Sequence, residues 1–163
     1  MSEGGAGRVP AGEPDHDQER ERGLGRVAAL DLGERRIGVA FSDSRRMLAS
    51  PWGAIERTGD AARDRMAVVD VVREVEASTV IVGLPLNLAG HVGPAARAAL
   101  DEAAALSDAL APLGVTVETA DERLTTVEAQ RNLRTAGRTT KASRSVIDSA
   151  AAMVLLQAWL DRL

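Results

Sequence analysis

The sequence predicts an α/β protein whose mixed sheet has about five strands, and three observations lead to this fold class. Short apolar runs alternate with longer segments in which apolar residues recur at helical spacing. The first two runs are separated only by the tight turn at Gly33–Arg36, so they form an antiparallel hairpin and the sheet is mixed. A length of 163 residues fits one such domain.

The first half of the chain supplies three strands and a helix. Apolar runs bounded by turn residues predict strands at Val27–Leu32, Ile37–Phe41 and Ser50–Ile55. Helical spacing then predicts a helix over Asp60–Ala77. Its apolar face is expected to hold Met66, Val69, Val72 and Val75, and its opposite side Arg63, Asp64, Arg73 and Glu74.

The second half continues the alternation. Strands are predicted at Thr79–Gly83 and Val115–Thr119, with an alanine-rich helix over Pro94–Leu110 between them. The capping box Thr125-x-x-Glu128 opens a further helix through Arg134. A loop at Gly137–Thr140 leads to a final helix, Ser143–Leu160, and the core is expected to include Trp52 and Trp159.

Residues 1–25 differ in composition from the rest of the chain. This segment holds six Gly, six acidic and three basic residues, and its few large apolar side chains cannot offset the conformational entropy lost on folding. We therefore predict an acidic, Gly-rich disordered tail over residues 1–25 and a folded domain over residues 26–163. The tail carries −3 of the net charge of −4, so the domain itself is close to neutral.

Membrane and export signals are missing from the sequence. No apolar run approaches the ~20 residues that span a bilayer. The first 25 residues lack the apolar segment of a signal peptide. These observations predict a soluble, cytoplasmic protein with no membrane partner.

Residue counts limit the chemistry that the chain can perform. The absence of Cys excludes disulfides, thiolate catalysis and Cys-ligated metals, and two His cannot form a histidine-rich metal site. Carboxylates remain as metal ligands, and their hard oxygens select Mg²⁺ or Mn²⁺. With 2% aromatic residues, the chain is expected to bind a nucleic acid through its phosphates rather than by stacking on its bases.

Several carboxylates are placed where such a metal site is expected. Asp31 lies in the first apolar run, Asp121 and Glu122 directly follow the strand Val115–Thr119, and Asp148 lies in the final helix among small residues. Ligands of α/β sheets bind beyond the carboxyl ends of parallel strands, so these acids are predicted to converge there. Two ions about 3.5–4 Å apart can activate water for phosphodiester cleavage. A solvated helix face remains open for Asp148, and a helix cap for Asp121 or Glu122.

Basic residues are concentrated near this predicted site. The segment from Ala129 to Ile147 contains no acid and five bases, Arg131, Arg134, Arg138, Lys141 and Arg144. A solvated helix end accounts for the first two alone, whereas a phosphate backbone accounts for the whole stretch. We predict nucleic-acid contacts at Arg138, Lys141 and Arg144, and at Arg35 or Arg36 in the hairpin turn beside Asp31.

Four sequence motifs, in order over residues 26–162, resemble the RuvX (YqgF) family, whose members are described as pre-16S rRNA nucleases and as Holliday-junction-resolvase-like. The motifs are Ala29-Leu30-Asp31-Leu32-Gly33 with Arg36-Ile37-Gly38-Val39-Ala40, Ile81-Val82-Gly83-Leu84-Pro85-Leu86-Asn87, Asp121-Glu122-Arg123-Leu124-Thr125-Thr126-Val127-Glu128-Ala129, and Ile147-Asp148-Ser149-Ala150-Ala151.

The resemblance implies a ribonuclease H-like fold and a cytoplasmic enzyme that matures the 5′ end of 16S ribosomal RNA. It implies catalytic, metal-holding carboxylates at Asp31, Glu122 and Asp148, and so favours Glu122 over Asp121. The expected partner is precursor ribosomal RNA. The protein itself is expected to be a monomer or a homodimer. Branched DNA is the alternative substrate, although the strand ending at Gly83 lacks the acid found there in RuvC-type resolvases.

Two other functions remain open at this stage. The spacing Asp31-x-Gly33-x-x-x-x-Gly38 also resembles the first phosphate loop of actin-like kinases and ATPases, but those proteins need two such domains. A non-catalytic nucleic-acid-binding module is the third hypothesis. The carboxylates argue against it, because a pure binding face would not concentrate negative charge near phosphates.

Overall fold

A single five-stranded sheet organises the protein. The computed structural model describes residues 24–125, 127–136 and 144–163. Its strands are β1 (Arg26–Leu32), β2 (Arg36–Ser42), β3 (Ala49–Glu56), β4 (Ala77–Leu84) and β5 (Thr116–Asp121), in the spatial order β3-β2-β1-β4-β5. β2 is antiparallel to β1 and to β3, whereas β4 is parallel to β1 and to β5. The predicted mixed sheet is confirmed.

Five helices and two short 3₁₀ turns flank the sheet within the described ranges. The helices are α1 (Ala61–Glu74), α2 (Pro94–Leu110), α3 (Val127–Thr135), α4 (Arg144–Asp148) and α5 (Ala150–Leu160). The 3₁₀ turns are Ala111–Leu113 and Glu122–Leu124. The predicted tail (up to residue 23), the predicted loop at 137–140 and the start of the predicted final helix lie outside the described residues. In the parts that the structure describes, no helix has the length and apolarity to cross a membrane.

The prediction of one final helix over Ser143–Leu160 is wrong, because the helix is interrupted at Ser149. This residue has φ −107° and ψ 9°, and it separates α4 from α5. Its hydroxyl and its backbone N–H both donate to the carbonyl oxygen of Ser145. Asp148 therefore lies at the end of one helix and not in the middle of another.

The sheet separates two apolar clusters. One face packs Leu30, Val39 and Val82 against α1 and α2, and the other packs Val27, Ala29 and Ile81 against α3 and α5. Alternation along β1 puts Asp31 on the face of Val27 and Ala29, toward α5. Trp52 and Trp159 are half-buried at the margins of the two clusters and not at their centres.

The predicted faces of α1 need correction. Met66 is 57% exposed, and Asp64 is only 5% exposed. Residues three apart drift by about 60° around a helix at each step, so a spacing of three carries Met66 away from the core side of Val75. Asp64 turns inward because its carboxylate accepts the backbone N–H (2.9 Å) and the hydroxyl (2.7 Å) of Thr58. These bonds lower the pKa of Asp64 and fix the connection between β3 and α1.

Gln157 joins α5 to the start of β3. The side chain is 2% exposed, accepts the N–H of Ala49 at 3.0 Å, and donates to the Met47 carbonyl at 3.1 Å and to Asp161 at 2.9 Å. We expect Gln157→Leu to lower the free energy of unfolding by about 2 kcal/mol, because it leaves buried backbone groups without partners. Urea denaturation measures this loss. Gln157→Glu keeps the acceptor for Ala49 but turns an oxygen, in place of the amide donor, toward the Met47 carbonyl and the Asp161 carboxylate. Its loss at pH 7 should therefore be at least as large, and unchanged stability of either variant would contradict this account.

Candidate active site

Asp31 lies at the carboxyl end of β1, directly opposite Gly38 of β2. A Cβ at position 38 would lie 3.0 Å from the carbonyl oxygen of Asp148 and 3.7 Å from the Cβ of Asp31. The glycine therefore leaves room for the end of α4 to approach β2 beside Asp31. Two acids that are far apart in the sequence have neighbouring backbones as a result.

Asp121 and Glu122 have different environments. β5 ends at Asp121 and not at Thr119 as predicted, so Glu122 is the first residue beyond the strand. The Asp121 carboxylate accepts the backbone N–H of Arg123 (2.9 Å) and its guanidinium (2.6 Å to Nη2). The side-chain bond to Arg123 lowers the pKa of Asp121. Asp121 thus caps the 3₁₀ turn, and the geometry favours Glu122 as the acid of the site.

Asp31 and Glu122 form a carboxyl pair. Burial raises the pKa of Glu122 above its usual value, and the charge of Asp31 and a hydrogen bond to its side chain raise this pKa further. Two such groups form a hydrogen bond when one of them is protonated, because two ionised carboxylates would repel each other. A cation bound between the two carboxylates would remove this repulsion.

The carboxyl pair lies in an open cavity of about 470 Å³. Asp31, Glu122, Thr125 and Gln130 supply its polar wall, and α5 supplies its apolar wall with Ala150, Ala151, Val154 and Leu155. Ala150 and Ala151 are the small residues that follow Asp148 and Ser149 in the sequence. Thr125 is predicted from the sequence only as part of a capping box, and no sequence motif singles out Gln130. Their position shortly after the end of β5 is the signal that identifies them.

The structure does not bring the Asp148 carboxylate to the other two acids. Asp148 is paired with Arg36 (Nη1–Oδ1 3.3 Å) and with Arg144 (Nε–Oδ2 3.7 Å). Among the residues that the structure describes, no group of three acidic or histidine side chains is arranged to hold a metal ion. The carboxyl pair is thus formed by the fold, whereas the third predicted member faces two arginines.

The predicted phosphate-binding arginines occupy different positions. Arg36 is half-exposed and contacts both Asp148 and Glu56 (Nε–Oε1 3.4 Å). Arg35 lines a separate cavity with Glu34 and Arg57 and does not reach the carboxyl pair. Arg144 is exposed, on α4. Arg138 and Lys141 lie outside the described residues.

The donor set fits Mg²⁺ or Mn²⁺. Asp31 and Glu122 offer hard carboxylate oxygens, and the hydroxyl of Thr125 and the amide of Gln130 are further oxygen groups in the same cavity. The chain has no Cys, and such a site is unsuited to softer metals. Burial and, after it, the charge of Asp31 raise the pKa of Glu122, and a bound divalent cation would favour the ionised form against both effects.

The strand order and the flanking helices define a ribonuclease H-like fold, the fold of RuvC-type resolvases. The chain superposes on Thermus thermophilus RuvC in complex with a Holliday junction substrate with a TM-score of 0.57 and 17% identity, over 84% of this chain and 94% of that one. At this identity the likeness concerns the fold.

Closer relatives identify the family. A family model described as RuvX, Holliday junction resolvase, matches residues 25–162, and the chain belongs to the RuvX family. It is 46% identical over 149 residues to the "Putative pre-16S rRNA nuclease" of Mycobacterium sp. (strain KMS), covering 91% of this chain and 87% of the relative. It is 48% identical over 153 residues to a protein of the same name in Mycobacterium ulcerans (strain Agy99), covering 93% and 86%.

The carboxyl pair is expected to destabilise the metal-free protein. Because folding raises the pKa of Glu122, the protonated carboxyl stabilises the fold at acid pH, and this contribution is lost as the pH rises through the folded-state pKa. We expect Glu122→Gln to raise the melting temperature at pH 7 in EDTA by about 3 °C. The difference should vanish below the ordinary pKa of a glutamate. Thermal unfolding at both pH values measures it.

Mg²⁺ provides the control for this prediction. The cation should raise the melting temperature of the wild-type protein more than that of Glu122→Gln, because the variant lacks one of the charged oxygens. A variant that is less stable than the wild type at pH 7 in EDTA would contradict the assigned repulsion.

Proposed function

We propose that this protein is a metal-dependent endonuclease that hydrolyses phosphodiester bonds of precursor 16S ribosomal RNA in maturation of the 5′ end. The observation that carries the proposal is the contact of Asp31 with Glu122 in an open cavity at the carboxyl edge of β1 and β5. The names of the RuvX relatives supply the substrate class.

We assign Asp31, Glu122 and Asp148 as the catalytic, metal-holding residues. Asp31 lies between the other two along this edge, because its partner strand position, Gly38, adjoins the Asp148 carbonyl and its own side chain contacts Glu122. Asp31 is therefore the residue that would hold a bound cation together with either of the other two. Bound Mg²⁺ or Mn²⁺ would supply activation of water and stabilisation of the leaving oxygen.

The protein's own side chains orient the reacting groups and exclude water. Asp31 and Glu122 orient the reacting centre through their fixed backbone positions at strand ends, and Ala150 and Val154 limit water on the α5 side. Arg36 and Arg144 are placed to receive phosphate oxygens beside Asp148. Arg138 and Lys141, as well as Arg35, complete the proposed nucleic-acid contacts.

The test is incubation of the purified protein with Mn²⁺ and end-labelled precursor 16S RNA, duplex DNA or a four-way DNA junction. We expect cleavage of the RNA near the mature 5′ end and none in EDTA. Preferred cleavage of the junction would support the second candidate, a resolvase, which the likeness to a junction-bound RuvC favours. Failure to cut any of the three substrates would contradict the nuclease proposal and favour a binding module.

The family match supports a proposed boundary near residue 25. Because the match covers residues 25–162, we propose that residues 26–163 form the nuclease domain and that residues 1–25 lie outside it. A protein of this function acts where ribosomes are assembled, so we place it in the cytoplasm. A chain that starts at Leu24 should retain the cleavage rate of the full chain within about twofold, because it keeps every catalytic residue.

A further inference from the structure

Asp148 is held by positive charge on two sides. Its side chain is 18% exposed, whereas that of Arg36 is 48% exposed and that of Arg144 is 85% exposed. Arg36 belongs to β2 and reaches Asp148 across 112 positions of sequence. The carboxylate is therefore covered while both of its partners remain open to a ligand.

The direction of the side chain, and not the fold, separates Asp148 from the carboxyl pair. A Cβ at Gly38 would lie 3.0 Å from the Asp148 carbonyl oxygen and 3.7 Å from the Cβ of Asp31. The backbone of Asp148 thus already adjoins Asp31. A carboxylate released from Arg36 stays next to the pair and is available as a third oxygen ligand.

A substrate phosphate is a direct competitor for the guanidinium of Arg36. Guanidinium groups bind phosphate and carboxylate oxygens with the same forked geometry. Ion pairs that face solvent contribute little to stability, so exchanging one for the other costs little. Arg36 also contacts Glu56 at 3.4 Å, which holds it at the edge of the site when Asp148 leaves.

We propose that Arg36 is a positioning residue that couples phosphodiester binding to cation binding. In the free protein Arg36 holds the Asp148 carboxylate away from Asp31 and Glu122. A substrate phosphate that binds the Arg36 guanidinium in place of this carboxylate would leave the carboxylate free to bind the metal. The inference rests on the proposed nuclease function. By linkage, the cation and the nucleic acid each strengthen the binding of the other.

Mn²⁺ affinity, measured by calorimetry without nucleic acid, tests the first half of the coupling. We expect Arg36→Ala to bind Mn²⁺ about fivefold more tightly than the wild type or better, because only the more exposed Arg144, at 3.7 Å, then still contacts Asp148. In a chain that carries Asp148→Asn, adding Arg36→Ala should change the affinity by less than about twofold. Arg45→Ala, which removes an exposed arginine beyond the far end of β2, controls for net charge and should leave the affinity unchanged.

A short phosphorothioate-linked RNA, which resists hydrolysis, tests the second half. It should tighten Mn²⁺ binding by the wild type and have little effect on Arg36→Ala. Equal tightening by Arg36→Ala with and without Asp148→Asn would reduce the effect to long-range charge and overturn the proposal. So would an unchanged affinity in Arg36→Ala.

Two outcomes separate the coupling from the proposed function. A wild-type protein that binds Mn²⁺ and cleaves RNA, without any change in Mn²⁺ affinity on Arg36→Ala, would refute the coupling and leave the nuclease function intact. A wild-type protein and variants that neither bind Mn²⁺ nor cleave would refute both.

Discussion

Asp31→Asn is expected to reduce Mn²⁺-dependent cleavage by about a thousandfold or more, equivalent to about 4 kcal/mol in the activation barrier. The residue contacts Glu122 and adjoins the backbone of Asp148, so no other carboxylate of the site can replace it. The isosteric amide removes a charged metal ligand and preserves the shape of the strand end. Initial rates on labelled precursor RNA measure the loss.

The fold of Asp31→Asn should be intact or slightly more stable. Burial is the main cause of the raised pKa of Glu122, and the charge of Asp31 adds to it. The substitution removes that charge, so the melting temperature in EDTA should not fall. Asp101→Asn, an exposed acid on α2 across the sheet, is the matched control and should cleave at the wild-type rate. Wild-type cleavage by Asp31→Asn would exclude this cavity as the catalytic site.

Gly83→Ala should reduce cleavage by about a hundredfold with little change in the fold. A Cβ at this position would lie 2.8 Å from Oε1 and 3.1 Å from Cγ of Glu122, and 3.0 Å from Cδ2 of Leu155. The end of the Glu122 side chain is the part that can move, so the methyl group displaces it from Asp31. A displacement of about 1 Å at a reacting centre suffices for a loss of this size.

A second glycine provides the control for this variant. A Cβ at Gly93 would meet no atom within 4 Å among the residues that the structure describes, and its φ of −88° suits any residue. Gly93→Ala should therefore keep most of the activity. Cleavage rates of both variants at saturating Mn²⁺ test this prediction. Equal rates would show that Gly83 does not position Glu122.

Local pattern was sufficient for the sheet and for part of the site. The apolar run around Asp31 and the position of Glu122 just beyond a strand follow from alternation and strand length, and the structure brings these two acids together. The inward turn of Asp64 and the pairing of Asp148 with Arg36 depend on partners that a residue acquires only on folding. Periodicity carries no information about such contacts.

The interruption of the final helix at Ser149 could not be predicted from the sequence pattern either. Apolar residues recur on both sides of Ser149, so nothing in the periodicity marks an interruption. At this point the Ser149 hydroxyl and its backbone N–H both bond the Ser145 carbonyl. A serine within a helix usually makes such a bond without ending the helix, and here the close approach of Asp148 to Gly38 accompanies the break.

This interruption also determines where the positive end of a helix dipole lies. Because α5 begins at Ala150, its amino end, which carries roughly half a positive charge, borders the cavity that contains Asp31 and Glu122. A helix that ran unbroken through Ser149 would place that end beyond Arg144 instead. The interruption therefore gives an acidic cavity a fixed source of positive potential that needs no side chain, favours anionic oxygens on an incoming phosphodiester and does not titrate with pH.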